Sequence, residues 1–108
     1  LLPGPAAPTT IEWEDSGEWD SAARERMERG DVHGALAALE AALPRAKAAA
    51  VDAETLGALH YDLGLCLDLV GRPVEAERAL DEALTLDGTE RHIEALQTLR
   101  RRGAGGGQ

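Results

Sequence analysis

Hydrophobic residues recur every three or four positions along most of this chain, which is the spacing of amphipathic α-helices. We call each such row of hydrophobic residues on one helix face a stripe. The first stripe follows a helix-capping sequence at residues 15–18, where Asp15 stands three positions before Glu18. The members of this stripe are Trp19, Ala22, Ala23 and Met27. The members of a second stripe are Val32, Ala35, Leu36, Leu39, Ala42 and Leu43. Each stripe predicts one helix with a single buried face.

Three further stripes follow between residues 52 and 102. The third, with Asp52 as its expected N-cap, consists of Leu56, Leu59, His60, Leu63, Leu67 and Val70. The fourth consists of Val74, Ala76, Ala79, Leu80, Ala83, Leu84 and Leu86. The fifth follows a capping Thr89 and consists of Ile93, Leu96 and Leu99. No segment except residues 11–13 alternates as a strand would, so the pattern predicts an all-α fold of about five helices.

Proline and glycine mark the ends of the folded part. Three prolines among the first eight residues predict a disordered linker over residues 1–10, and the glycine-rich residues 103–108 predict a flexible tail. The helical domain is therefore expected over residues 11–102. Pro44 lies within the second stripe, where it either ends or kinks the helix because it lacks a backbone N–H.

The third and fourth helices carry a specific pattern of small and large residues. It reads His60-x-x-Leu63-Gly64-x-x-Leu67, then Gly71, then Ala76-x-x-x-Leu80-x-x-Ala83-Leu84. The small residues let two helices approach closely while the leucines fill the space around them. The pattern resembles the tetratricopeptide repeat (TPR), W-x2-L-G-x2-Y followed by A-x3-F and a closing proline. The resemblance implies antiparallel helix-turn-helix units stacked as a short right-handed solenoid.

A weaker copy of the pattern covers the first two helices. It reads Trp19-x-x-Ala22-Ala23, then Gly30-Asp31, then Ala35-x-x-x-Leu39-x-x-Ala42-Leu43. The copies are offset by 41 residues (from 19 to 60) instead of about 34, which is similar to the long repeats of kinesin light chains. We expect repeats at about residues 16–50 and 52–88 and a capping helix at 89–102. The sequence departs from the TPR pattern at three positions: His60 and Arg26 occupy aromatic positions, and Gly88 replaces the closing proline. The alternative to a repeat fold is a plain helical bundle.

The charge balance excludes some classes of partner. The 108 residues carry 11 basic and 20 acidic side chains, a net charge of −9. Nucleic acids and anionic membranes attract clustered Lys and Arg, so neither is an expected partner.

No run of about 20 apolar residues predicts a membrane span. With one cysteine and no predicted disulfide, we expect a cytoplasmic protein, although a periplasmic one is also compatible.

No group of residues predicts catalysis, a cofactor site or a metal site. The three histidines fall in different helices, and His60 occupies a core-facing repeat position, where a packing role is favoured over a ligand. Cys66 is expected to be a small buried hydrophobic residue because no cationic side chain lies near it in sequence. We therefore predict a protein that is not an enzyme.

The TPR resemblance implies a binding groove lined by the first helix of each repeat. Transferred by position, the groove residues are Asp20, Arg24, Met27, Tyr61, Asp62, Leu65 and Asp68. Acidic residues at these positions argue against a clamp for a C-terminal carboxylate and favour a basic or amphipathic peptide or helix of a partner protein. Tyr61 and Leu65, four apart on one face, either anchor that ligand or pack against the neighbouring repeat.

Self-association is the alternative function. Two repeats bury little surface for a solenoid, so the ends need a cover. Ile11 and Trp13 either fold back over one end or meet a second copy, and the last helix covers the other. A homodimer that joins two copies of a larger protein would be lost on charging Leu96 or Trp13.

Overall fold

The computed structural model describes residues 13–14 and 16–106. Its five α-helices are α1 (Ser21–Glu28), α2 (Val32–Ala48), α3 (Ala53–Leu69), α4 (Pro73–Leu86) and α5 (Glu90–Gly106). A single turn of 3-10 helix, Gly17–Asp20, leads into α1. The described residues form no strand. This confirms the predicted all-α fold of about five helices.

The helix bounds differ from the predicted ones at three places. The first stripe begins as the 3-10 turn and becomes α-helical only at Ser21. Helix α2 continues through Pro44 to Ala48, and α5 continues past residue 102 to Gly106. The predictions for the linker at 1–10, for Ile11, for the capping Asp15 and for residues 107–108 lie outside the described residues.

Short turns close each helix pair. Gly30 and Gly71 have positive φ angles of 79° and 84°, which other residues adopt only at a cost. After Gly71, the N–H of Arg72 donates to the Leu67 carbonyl at 2.9 Å and so satisfies the end of α3. At the start of α3 the Asp52 carboxylate accepts from the Thr55 N–H at 2.8 Å, which is the predicted N-cap.

Helices α3 and α4 pack together most closely because glycine lies where they cross. A Cβ built on Gly64 would stand 2.7 Å from Leu80 Cδ2, and one on Gly57 would stand 3.1 Å from the Asp87 Cβ. Later residues of α3 therefore face earlier residues of α4, so the two helices are antiparallel. The small residues of the predicted pattern do mark a close helix contact.

The core consists mainly of alanine and leucine from all five helices. Its most deeply buried members are Ala23, Ala35, Leu39, Ala46, Leu59, Cys66, Ala76, Leu80 and Ala83. Leu96 and Leu99 of α5 complete it, as predicted. Ile93 and Val74, which the stripes also place on buried faces, are instead 38% and 65% exposed.

Candidate functional site

A short N-terminal segment (Trp13, Glu14 and Ser16) crosses α3 and reaches α5. The backbone N–H of Glu14 donates to Asp62 Oδ1 on α3 at 2.9 Å. The carboxylate Oε1 of Glu14 lies 2.7 Å from His92 Nε2 on α5. Trp13 is half-buried and packs against the hydrophobic core. The segment therefore joins two helices that are separated by α4 in the chain.

His92 is completely buried and is held in one orientation. Its Nδ1 donates to the carbonyl oxygens of Asp87 at 2.7 Å and Ala83 at 3.2 Å, which can only accept. Its ring stacks on Tyr61 with 5.0 Å between the centroids. Both ring nitrogens thus lie within hydrogen-bond distance of oxygen atoms, so the orientation of the imidazole ring is fixed on both sides.

Asp62 is a fully buried carboxyl group in the middle of α3. Its Oδ2 has no hydrogen-bond partner among the described residues. Burial raises the pKa of Asp62 to about 8, and the negative charges of Asp20 and Glu14 act in the same direction. The N–H of Glu14 and the positive charge of Arg24 oppose this shift. Asp62 therefore lies protonated at neutral pH beneath the N-terminal segment.

Asp20 fixes the other end of the segment. Its carboxylate is 1% exposed and accepts from Arg24 at 2.9 Å and from the Ser16 N–H at 3.4 Å. Because Asp20 is the last residue of the 3-10 turn, these contacts tie the segment to the start of α1.

An open groove lies between α3 and α5, beyond the N-terminal segment; we call it the α3–α5 groove. It has a volume of about 460 Å³. Its apolar lining consists of Tyr61, Gly64, Leu65, Leu80, Ala95 and Leu99. Its polar lining consists of Asp68, Arg91, Glu94, Thr98 and Arg102. An ion pair between Asp68 and Arg102 joins the two helices at its rim.

The structure does not bring the predicted groove residues together on one surface. Tyr61, Leu65 and Asp68 line the α3–α5 groove. Asp20 and Asp62 are buried beneath the N-terminal segment, so neither is exposed to a partner while the segment stays in place. Arg24 is half-buried on Asp20, and Met27 is half-buried against the core away from the groove.

The remaining candidates for chemistry, His60 and Cys66, are both buried. His60 is 8% exposed, as expected for a core-facing position, and burial lowers its pKa, but its Nε2 has no hydrogen-bond partner among the described residues. Cys66 is fully buried, and burial raises the pKa of its thiol to about 12. Within residues 13–14 and 16–106, no cluster of three or more His, Cys, Asp or Glu side chains is arranged to hold a metal ion.

Sequence reasoning missed Glu14, Arg91 and His92. Glu14 and His92 are 78 positions apart, and no repeat position or local spacing connects them. Arg91 Nη1 lies 3.6 Å from Glu14 Oε2, and its guanidinium stands 5.9 Å from the centre of the Tyr61 ring. The only local signal for Glu14 is its place in an acidic stretch, residues 11–20, which holds five acidic and no basic side chains.

No protein-family model, curated protein or solved structure that was compared with this chain matches it. None of the described helices is long and apolar enough to cross a membrane.

Proposed function

We propose that this domain is a TPR-type protein-interaction module and that its α3–α5 groove binds a peptide or helix of a partner protein. The observation that carries the proposal is the groove itself. Its floor is formed by Leu65 and Leu99 from facing helices, and charged side chains form its rim. Apolar floors with a polar rim are typical of sites that take amphipathic segments.

An amphipathic ligand fits this groove best. One or two apolar side chains would cover Leu65 and Ala95, while Glu94 and Arg102 stand at the rim to pair with polar groups of the ligand. The net charge of −9 favours a ligand with basic residues because it accelerates the encounter. Affinity would come from the apolar contacts.

The test is a peptide selection with matched variants. Amphipathic 15-residue peptides are selected on the full chain from a displayed library, and the best binder is titrated against Leu65→Ala and Leu69→Ala. Leu69 lies on the same helix outside the groove and is 43% exposed. We expect Leu65→Ala to weaken binding about tenfold and Leu69→Ala to leave it unchanged, with unaltered helicity in both. Equal affinities for both variants would exclude this groove.

Self-association is the second candidate, and one observation favours it. Ile93 is 38% exposed on the terminal helix α5, where a further repeat or a second copy would pack. Leu96 is buried in the monomer and Trp13 is half-buried, so charging either would disturb the fold and would not report on a dimer. Light scattering measures the molar mass of the wild-type chain and of the Ile93→Glu variant across a concentration range. Self-association is supported only if the wild-type chain forms a dimer and the variant remains a monomer.

A further inference from the structure

The N-terminal segment contacts the helices as a bound peptide would. Its residues Trp13, Glu14 and Ser16 lie outside every helix. Glu14 makes its long-range contacts through one backbone N–H and one carboxylate, the groups that an extended peptide offers. A cleft of about 410 Å³ runs beside Trp13 and Glu14, so the segment is open on one side.

The residues that receive Glu14 are positioned independently of it. His92 is oriented by the carbonyls of Ala83, in the last turn of α4, and of Asp87, the C-cap of that helix. Asp62 is fixed within α3, and its second oxygen has no hydrogen-bond partner among the described residues. The receiving surface thus presents an acceptor for an N–H and, from His92 and Arg91, two donors for a carboxylate.

We propose that Asp62, Arg91 and His92 form a second binding site, which takes an acidic residue of an extended peptide. Glu14 is its resident intramolecular occupant. An acidic segment of a partner protein occupies the same contacts when it displaces Glu14. The carboxylate of the ligand pairs with His92 and Arg91, and its backbone N–H donates to Asp62.

This site is distinct from the groove of the proposed function. The α3–α5 groove uses Leu65, Asp68 and Leu99, whereas the second site uses Asp62 and His92. Tyr61 and Arg91 border both, so occupation of one site affects the other. Because the groove ligand is amphipathic and the second ligand is acidic, either proposal can fail without the other.

Covalent attachment gives the resident segment an advantage over a free peptide. A tethered ligand acts at an effective concentration in the millimolar range when its linker is short and flexible. A free peptide of the same sequence therefore binds weakly to the unaltered chain and strongly once the contact of Glu14 is removed.

The experiment uses a fluorescent peptide with the sequence of residues 9–18 of this chain. Its affinity is measured by anisotropy for the full wild-type chain, for Glu14→Ala and for the control Glu18→Ala. Glu18 belongs to the same acidic stretch, but its side chain is exposed. We expect Glu14→Ala to bind the peptide at least tenfold more tightly than wild type and Glu18→Ala to match wild type. The peptide with its own Glu14→Ala change should lose most of the affinity.

Two further measurements keep the result interpretable. Circular dichroism establishes that Glu14→Ala is folded, and Glu14→Gln replaces it if it is not. Amide hydrogen exchange at position 14 reports whether the segment is released. Equal affinity of all chains for the peptide overturns the proposal, as does a released segment with no peptide binding. Unchanged exchange at position 14 also overturns it, because Glu14 would then not hold the segment.

Discussion

The carboxylate of Glu14 and the imidazole of His92 form a hydrogen bond of 2.7 Å across 78 positions of the chain. His92 is fully buried and its partner is 18% exposed, so one side of the contact is fixed in the core and the other is open to solvent. This contact fastens the N-terminal segment to the last helix.

Replacing Glu14 with alanine should destabilise the fold. The change leaves the buried His92 Nε2 without its acceptor, a loss of about 1–3 kcal/mol in the free energy of unfolding. Urea denaturation followed by circular dichroism measures it. The exposed neighbour Glu18→Ala should change the free energy by less than about 0.5 kcal/mol. Equal effects of the two changes would show that His92 does not depend on Glu14.

Asp62 should make the fold less stable as the pH rises. Its pKa is raised to about 8, so the folded state keeps a proton that the unfolded state releases above its ordinary pKa near 4. Stability therefore falls with rising pH until about pH 8. The lowered pKa of buried His60 acts oppositely, but only below its ordinary pKa of 6.5.

The window from pH 6.5 to 8 isolates Asp62 among the groups with shifted pKa values. We expect the free energy of unfolding to fall there by up to about 1.4 kcal/mol per pH unit in wild type. Asp62→Asn should remove most of this slope, and the exposed Asp81→Asn should retain it. A slope that persists in Asp62→Asn would mean that another group causes the pH dependence.

Adding one methyl group at Gly64 should destabilise the contact between α3 and α4. The new Cβ would stand 2.7 Å from Leu80, which is 2% exposed and has little space to move. We expect a loss of about 1–3 kcal/mol. Gly103→Ala is the control, because nothing lies within 4 Å of its Cβ position and alanine favours a helix by about 1 kcal/mol. The midpoint of thermal unfolding should therefore fall for Gly64→Ala and rise for Gly103→Ala.

The thiol of Cys66 should be unreactive in the folded chain. It is fully buried, and its pKa is raised to about 12 by burial, so almost no thiolate forms at pH 8. Ellman's reagent should react with it only after urea is added. An exposed cysteine on α2, introduced as Ala37→Cys in a Cys66→Ala chain, should react without urea. Rapid reaction of native Cys66 would show that α3 opens locally.

The helices could be predicted because their signals are local. The hydrophobic stripes of α2, α3 and α4 repeat with the helical period. Asp52 marks the start of α3 because its side chain caps a backbone N–H there, and Gly71 marks the end of α3 because the chain adopts a positive φ angle there. Tyr61, Leu65 and Asp68 recur at helical spacing and line one groove. The TPR resemblance paired them with residues of α1, however, whereas α5 forms the facing wall of the α3–α5 groove.

The second site could not be predicted, since long-range contacts decide it. Asp62 directly follows Tyr61 in the sequence, but it does not line the α3–α5 groove. It lies instead beneath the N-terminal segment, whose Glu14 is 48 residues earlier in the chain. Asp20 appeared to be a solvated acid of a groove, but Ser16 and Arg24 enclose it. No periodic pattern encodes such pairs, because each residue is compatible with an exposed surface until the fold brings its partner near.

The α3–α5 groove has an ionic rim above an apolar floor, and salt acts differently on the two. At the rim Arg102 pairs with Asp68, and outside the groove Arg100 ties α5 to Glu77 of α4 at 2.8 Å. All four side chains are partly exposed. Salt screens such pairs, while contacts to Leu65 and Leu99 are insensitive to screening. Raising the ionic strength should therefore loosen the C-terminal part of α5 and widen the entrance without weakening the floor. Under the proposed binding function, the groove would then accept bulkier ligands in concentrated salt than in dilute buffer.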